Sequence, residues 1–358
     1  MRVSVIIPAW NLWEMTADCL RSLAEHSAGE DMDVLVVDNG STDATCTELE
    51  PLGHALFGTG FRAVRLPENQ GFARACNAGA AVAQGELLFF LNNDTTCTPG
   101  WLPPLRAAFD DARLGAVGPL LFYPDGTVQH CGICFSPFCQ VGHLYAHLPA
   151  TFAAAHRPHP LQAITGAALM LRKGVFEDCG GFFEGYRNGF EDIDLCCAIS
   201  ARGLKLRVEA RSRIVHHTSQ TPGRFEHEQD NSRLLGQRYG NVLRPDEHLL
   251  AALDGYSLQL GRNLGTWLVL SDAEQQKRNA ALSGAEFCPE TCRNMLEEEP
   301  LWRDGWFLLA GYLEQQGRIR EALELLQRCW WLFPEERTFV VMLRLCARLQ
   351  LRNDTLEG

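Results

Sequence analysis

The stretch LLFFLNNDTTC, residues 87–97, carries the decision about the fold. Its five leading apolar residues have the length of a strand buried on both faces, as in a parallel sheet covered by helices. The run stops at Asn92, Asn93 and Asp94. Burying such groups without partners costs roughly 1–3 kcal/mol each. Asn and Asp also favour turns, because they bond their own backbone. Taken alone, the stretch fits a plain turn as well as a ligand site.

The neighbouring segments favour the ligand site. VSVIIPAW (3–10) reads as a strand, residues 12–27 as a helix, and DVLVVDNGSTD (33–43) as a strand ending in a turn. Residues 43–57 read as helical, RAVRL (62–66) as a short strand, and NQGFARACNAGAAVAQG (69–85) as a helix that stops at Gly85. Strands alternating with helices imply a mixed, mainly parallel α/β sheet with right-handed crossovers. In such sheets ligands sit at the carboxyl ends of the strands. Asn11, Asp38 to Ser41, Asn69 and Asn92 to Asp94 all fall at strand ends and are expected to meet in one crevice. No G-x-G-x-x-G follows the first strand, and no G-x-x-x-x-G-K-[ST] occurs, which argues against a dehydrogenase and a P-loop enzyme. The oxygens of Asn92 and Asp94 suit a hard divalent cation, Mg²⁺ or Mn²⁺, that could hold a diphosphate instead.

Composition narrows the class further. The 358 residues suffice for one large domain and a smaller one, and 46% are hydrophobic. Lys and Arg total 32 against 44 Asp and Glu, a formal net charge of −12, which speaks against a nucleic-acid binder. The 14 cysteines are irregularly spaced, and the sequence reads as a protein with reduced thiols. Met1 leads directly into a strand, and no apolar run approaches the roughly 20 residues of a membrane helix. The expected location is cytoplasmic, with docking at the inner face of the membrane left open.

Residues 121–162 read as irregular. AITGAALMLRKGVF (163–176) then gives a strand and a short helix, and GGFFEGYRNGFEDIDLCCAISARGLKLRVE (180–209) a glycine loop, an acidic helix start and a strand. Glu191 and Asp192 at a helix start suit the helix dipole without any catalytic role. RIVHHTSQT (213–221) puts His216 and His217 at a strand end. The expected division is a catalytic domain at 1–245, a helical linker at 246–284 and an all-α tail at 285–358. In the tail, Trp306, Leu309, Ala310, Ala322, Leu326 and Pro334 fall at tetratricopeptide offsets, and Pro300 lies one 34-residue period before Pro334. An ordinary helical hairpin is the plainer alternative. Such a tail offers a surface for a protein partner.

Seven blocks now define a resemblance: VSVIIPAWN, VVDNGSTD, ENQGFARACNAG, FLNNDT, TGAALMLRKGVFEDCGGF, NGFEDIDLC and VHHTSQTPGRF. Their order resembles that of family 2 glycosyltransferases of the bacterial O-antigen and surface-polysaccharide type, over residues 1–245. The resemblance implies a GT-A fold and inverting transfer of a sugar from a nucleotide-diphosphate donor, UDP- or dTDP-linked, to a glycan or protein acceptor. It implies that Pro8, Trp10 and Asn11 lie near the base, and that Asp38, with Ser41 of the same motif, bonds the base or ribose. Asn69, Gly71, Arg74 and Asn77 then line the nucleotide side, with Asn93 and Glu191 grouped there too. NND stands at the family's D-x-D position, so Asp94 and Asn92 are the implied metal ligands, joined by His216. Asp192 matches the catalytic base.

This chain departs from the family where Asn92 replaces an aspartate and where Ala198 replaces a frequent arginine. The Q-x-x-R-W signature of processive members is absent, which implies a single transfer. HCGICFSPFCQVGH (130–143) spaces Cys131, Cys134, Cys139 and His143 as zinc ligands could be spaced, with His130 adjacent. Free thiols in an acceptor-side loop are the alternative. Two other classes compete: a scaffold that recruits partners through its tail, and a nucleotidyltransferase, whose glycine- and basic-rich first loop is missing from VIIPAWNLWE.

Overall fold

The computed structural model describes residues 1–217, 227–261, 264–283 and 287–354. The chain forms two compact units. One comprises Met1–Phe135, Cys139–Ala150 and Ala155–Pro245; the other comprises Ser136–Phe138, Thr151–Ala154 and Asp246–Gly358.

The first unit alternates β1 (Val3–Ala9), α1 (Trp13–Glu25), β2 (Met32–Asn39), α2 (Thr45–Phe57), β3 (Phe61–Leu66), α3 (Phe72–Val82) and β4 (Leu87–Leu91). There follow β5 (Thr95–Cys97), α4 (Leu102–Ala107), β6 (Leu114–Phe122), β7 (Val128–His130), β8 (Ile133–Phe135), β9 (Val141–His143), β10 (Ala168–Arg172), α5 (Lys173–Asp178), α6 (Glu191–Ser200), β11 (Lys205–His216) and α7 (Glu228–Tyr239). The main sheet runs β3-β2-β1-β4-β10-β6-β11-β5, with β7 beside β6. Strands β1 to β4 are mutually parallel where they pair, β6 pairs β11 in parallel, and β10 runs antiparallel between β4 and β6.

Burial explains the sequence pattern. All five residues of β4 are fully buried, and Phe89 stacks on the buried Trp101 with ring centroids 4.9 Å apart. Gly79 of α3 lies so close to Ile6 that an added Cβ would fall 2.5 Å from its Cγ2, so this helix reaches β1 only through a glycine. The register then aligns the strand ends. Ala9 pairs with Asp38, Asn39 with Leu66 and Leu91 with Ala168. Because β10 is antiparallel to β4, the residues preceding β10 lie at the carboxyl end of β4.

Strand β6 occupies LGAVGPLLF, a stretch whose glycines and proline hide its strand character. Pro119 is accommodated opposite a register shift between Glu209 and Arg213 of β11, where the ladder makes fewer demands on an N–H. Residues 121–162, read as irregular, contain β7, β8 and β9.

The second unit holds α8 (Glu247–Leu253), β12 (Tyr256–Leu260), β13 (Thr266–Leu270), α9 (Asp272–Ser283), α10 (Pro289–Glu298), α11 (Arg303–Gln315), α12 (Ile319–Leu332) and α13 (Glu336–Asp354). The expectation of a helical linker at 246–284 is corrected here, because β12 and β13 form an antiparallel hairpin inside it. Alternation in YSLQL and the aromatic and β-branched residues of TWLVL account for that hairpin. Trp306, Leu309, Ala310, Ala322 and Leu326 are buried along α11 and α12, and the Trp306 indole donates to the Pro300 carbonyl at 2.9 Å. No helix among the described residues is long and apolar enough to cross a membrane.

Candidate active site

The ends of β1 and β2 are knitted together by their own polar residues. Asn11 and Leu12 adopt positive φ (54° and 56°), turning the chain sharply into α1. The Asn11 N–H donates to Ser41 Oγ at 2.8 Å, and Asn11 Oδ1 accepts from the Thr42 N–H at 2.8 Å. Asp38 Oδ1 accepts from the Ser41 N–H at 2.9 Å, and its Oδ2 meets Arg65 at 3.3 Å. Asp43 accepts from the Trp13 N–H at 3.0 Å and the Thr45 N–H at 3.0 Å, which lowers its carboxyl pKa although partial burial opposes the shift. Pro8 is half-buried beside these loops, while Trp10 is 36% exposed. The Asn39 amide holds the next loop by donating to Asn69 Oδ1 at 3.0 Å and accepting from the Gln70 N–H at 2.9 Å. Gly71, at φ 87°, then opens α3. Asn39, expected at the crevice without a stated role, and Asp43, which has none in the sequence reading, both organise the crevice wall.

Some expected residues are engaged elsewhere. The Asn77 side chain donates to the Phe182 carbonyl and to Glu184, and accepts from the Phe182 N–H at 2.9 Å. Arg74 pairs with Glu184 at 3.2 Å. The Asn93 amide donates to Thr16 Oγ1 at 2.9 Å, towards α1. Glu191 is buried and accepts from the Gly189 N–H at 2.7 Å, and its charge adds to the burial that pushes the Cys76 thiol up.

Four other expected residues come together at the carboxyl end of β4. The Asn92 N–H donates to the Ala167 carbonyl at 2.8 Å, tying the Asn-Asn-Asp turn to the residues before β10. One residue earlier, the Gly166 N–H donates to Asp192 Oδ2 at 2.8 Å, while Asp192 Oδ1 accepts from the Ile193 N–H at 2.9 Å. Asp192 is partly exposed, whereas its neighbour Glu191 is buried. Phe190, just before them, sits at φ 76°, a left-handed conformation that turns the chain into α6. Asp194 anchors that helix by accepting from Tyr186 Oη at 2.9 Å and Arg238 Nε at 2.5 Å. Arg238 also lies over the Phe183 ring, 3.7 Å from its centroid.

His216, the last residue of β11, brings Nε2 to 3.1 Å from Asp94 Oδ1 and 3.3 Å from the Asn92 amide nitrogen. The rest of the HHTSQTPGRF block, residues 218–225, lies outside the described residues. The Asp94 carboxylate and the His216 imidazole nitrogen, with the Asn92 amide beside them, are donors of kinds that fit a divalent cation. The second candidate set does not gather. Cys131 Sγ contacts the Leu144 carbonyl at 3.1 Å and Cys139 is exposed. Among the described residues no group of three or more His, Cys, Asp or Glu side chains is placed to hold a metal.

Residues 4–180 match the model of the family described as Glycosyl transferase family 2. The chain is 32% identical over 227 residues to the O-antigen biosynthesis protein RfbC of Myxococcus xanthus, over 61% of this chain and 17% of that protein. It is 28% identical over 216 residues to the N-acetylglucosaminyl-diphospho-decaprenol L-rhamnosyltransferase of Mycobacterium tuberculosis, over 53% of this chain and 68% of that protein. The chain thus spans less than a fifth of the Myxococcus relative. Among solved structures, the mannosyltransferase PcManGT of Pyrobaculum calidifontis, in complex with GDP-Man and Mn²⁺, aligns with a TM-score of 0.52 at 18% identity, over 87% of this chain and 84% of that one. The α/β fold is of the GT-A type.

Proposed function

We propose, from the match of residues 4–180 to the family 2 glycosyltransferase model, that the chain moves a sugar from a nucleotide-diphosphate donor to a glycan or protein acceptor, with inversion and with the help of a divalent cation. The observation that carries this reading is the meeting of Asn92, Asp94, His216 and the Gly166–Asp192 pair at the carboxyl end of β4.

In this reading Asp38 and Ser41 accept and donate bonds to the base and ribose, and the exposed face of Trp10 lies beside the base. A uracil or thymine base, with an imide N–H for a carboxylate to accept, suits Asp38. Asp94, His216 and Asn92 would hold Mn²⁺ or Mg²⁺, which when bound neutralises charge on the leaving diphosphate. Asp192, oriented by two backbone N–H groups, takes the proton of the acceptor hydroxyl as that oxygen attacks the anomeric carbon. The new bond forms on the face opposite the departing diphosphate, so a single displacement inverts the centre and needs no second carboxylate as nucleophile. The likeness to an O-antigen biosynthesis protein supports surface-glycan assembly as the setting, and in this reading the protein works at the inner face of the membrane. The tetratricopeptide-like helices α10 to α13 serve to dock the acceptor or a protein partner.

The test is turnover on a panel of UDP-, dTDP- and GDP-sugars, with and without chelator. Activity on one donor, lost with chelator and restored by Mn²⁺, is expected. Asp192→Asn should lower turnover by roughly 10²–10⁴-fold with donor affinity unchanged. Full activity with chelator sinks the metal-assisted part, and failure to bind any nucleotide sugar sinks the whole reading.

A further inference from the structure

Gln129 is the middle residue of β7 and is 3% exposed. Its amide has no freedom of orientation. Nε2 donates to the backbone carbonyl of His216 at 2.9 Å, a partner that can only accept. The amide oxygen is then the atom that faces His216 Nδ1, at 2.6 Å. An oxygen that only accepts requires Nδ1 to carry the proton. A neutral imidazole carries one proton, so Nε2 is left with its lone pair.

That lone pair faces the Asn-Asn-Asp turn. Nε2 lies 3.1 Å from Asp94 Oδ1 and 3.3 Å from the Asn92 amide nitrogen, which can donate to it. The neighbouring imidazole of His130 does not disturb this arrangement. Its Nε2 faces the Thr165 N–H at 3.3 Å and its Nδ1 faces His143 Nδ1 at 2.7 Å. Burial above all holds its pKa well below the usual histidine value.

We propose that Gln129 is a positioning residue that locks His216 as the Nδ1–H tautomer and so keeps its Nε2 lone pair aimed past Asp94 at a divalent cation. The inference rests on the metal-assisted reading above. The opposite tautomer would be a competitor rather than a neutral alternative. With its proton on Nε2, His216 would donate to Asp94 Oδ1, and one hydrogen bond would consume both a carboxylate oxygen and the imidazole ligand. Partners that fix the tautomer of a ligating histidine typically change metal affinity by about 10–100-fold when removed.

The experiment uses the full chain with ¹⁵N-labelled histidine. Long-range ¹H–¹⁵N spectra at pH 8, without metal, report which ring nitrogen of His216 carries the proton. The electron spin resonance of free Mn²⁺ reports binding of the metal alone. Wild type should show the Nδ1–H form. Gln129→Met, which keeps the shape but removes both bonds, should shift His216 to the Nε2–H form and weaken Mn²⁺ binding about 10–100-fold. Gln129→Glu, which keeps an acceptor for Nδ1–H, should retain the tautomer and bind Mn²⁺ within about threefold of wild type, in the manner of carboxylate–histidine–metal arrangements. A wild-type His216 in the Nε2–H or doubly protonated form overturns the proposal. So does a Gln129→Met protein that keeps the Nδ1–H tautomer, or a Gln129→Glu protein as impaired as Gln129→Met. Mn²⁺ binding by wild type with a tautomer indifferent to Gln129 defeats this inference alone. No Mn²⁺ uptake by a wild type in the Nδ1–H form defeats the metal reading on which it rests.

Discussion

Replacing Gly166 with alanine tests the placement of Asp192 by a displacement that the structure sets in advance. The Gly166 N–H already donates to Asp192 Oδ2 at 2.8 Å, so the two residues are as close as backbone and side chain can come. An added Cβ would lie 3.1 Å from Asp192 Cβ and 3.6 Å from both Asp192 Oδ2 and Phe72 Cε1. Carbon atoms rest about 3.5–4.0 Å apart, so one partner must give by roughly 0.4–0.9 Å. Gly166 is not among the glycines with positive φ, so the alanine acts through contact and not through backbone strain. The backbone on either side resists. Ala167 is tied to the Asn92 N–H, and α6 is anchored through Asp194 to Tyr186 and Arg238. The shift therefore falls on the Asp192 side chain. A misplacement of about 1 Å costs on the order of 10²-fold in rate, so a loss of about 10–100-fold in turnover is expected. Donor affinity should hold, because Asp38 and Ser41 sit at the end of β2. The assay pairs turnover on the best donor with calorimetric donor affinity. If Gly166→Ala turns over within twofold of wild type while folded, Asp192 does not act as a base held in this position.

Two further outcomes concern stability and pH. Asp194→Ala strips the acceptor from Tyr186 and Arg238 at the foot of α6. Since the Arg238 side chain is 33% exposed, the loss should sit at or below the bottom of the range for a broken buried pair, about 2–3 kcal/mol, read from urea unfolding; a loss under about 0.5 kcal/mol would show that the anchor is dispensable. His130 has a folded pKa well below its unfolded value, because burial and the charges of His143 and His216 disfavour protonation. The unfolded chain thus binds the extra proton first, so this contribution is intact above about pH 6.5 and is lost as pH falls below it, with a slope of up to about 1.4 kcal/mol per pH unit. Urea midpoints at pH 7.5, 6.5 and 5.5 should show that slope, and His130→Gln should flatten it; an unchanged slope in the variant would assign the acid sensitivity to other groups.

By itself, the sequence determined whatever is decided within a few neighbouring residues. Apolar runs such as VSVIIPA and LLFFL specify strands buried on both faces, and their periodic alternation with helices specifies an α/β sheet. The Asn, Asp and Ser at their ends specify where polar groups must find partners. Tertiary structure decided which partners those are. Asn77 and Asn93 lie within recognisable motifs, yet their amides bond Phe182 and Thr16, partners that register and loop path bring to them. Strand β6 hides its character behind Gly115, Gly118 and Pro119: Ile199 and the Ala168 carbonyl leave little room for a Cβ at the glycines, and β11 shifts register opposite the proline. Gln129 is the clearest case. No local pattern distinguishes it from any buried amide, and it meets His216 across 87 residues of sequence only because β7 and β11 end on either side of β6. A side-chain amide is satisfied by whichever donor and acceptor the fold sets within about 3 Å of it, a relation that one-dimensional order does not contain.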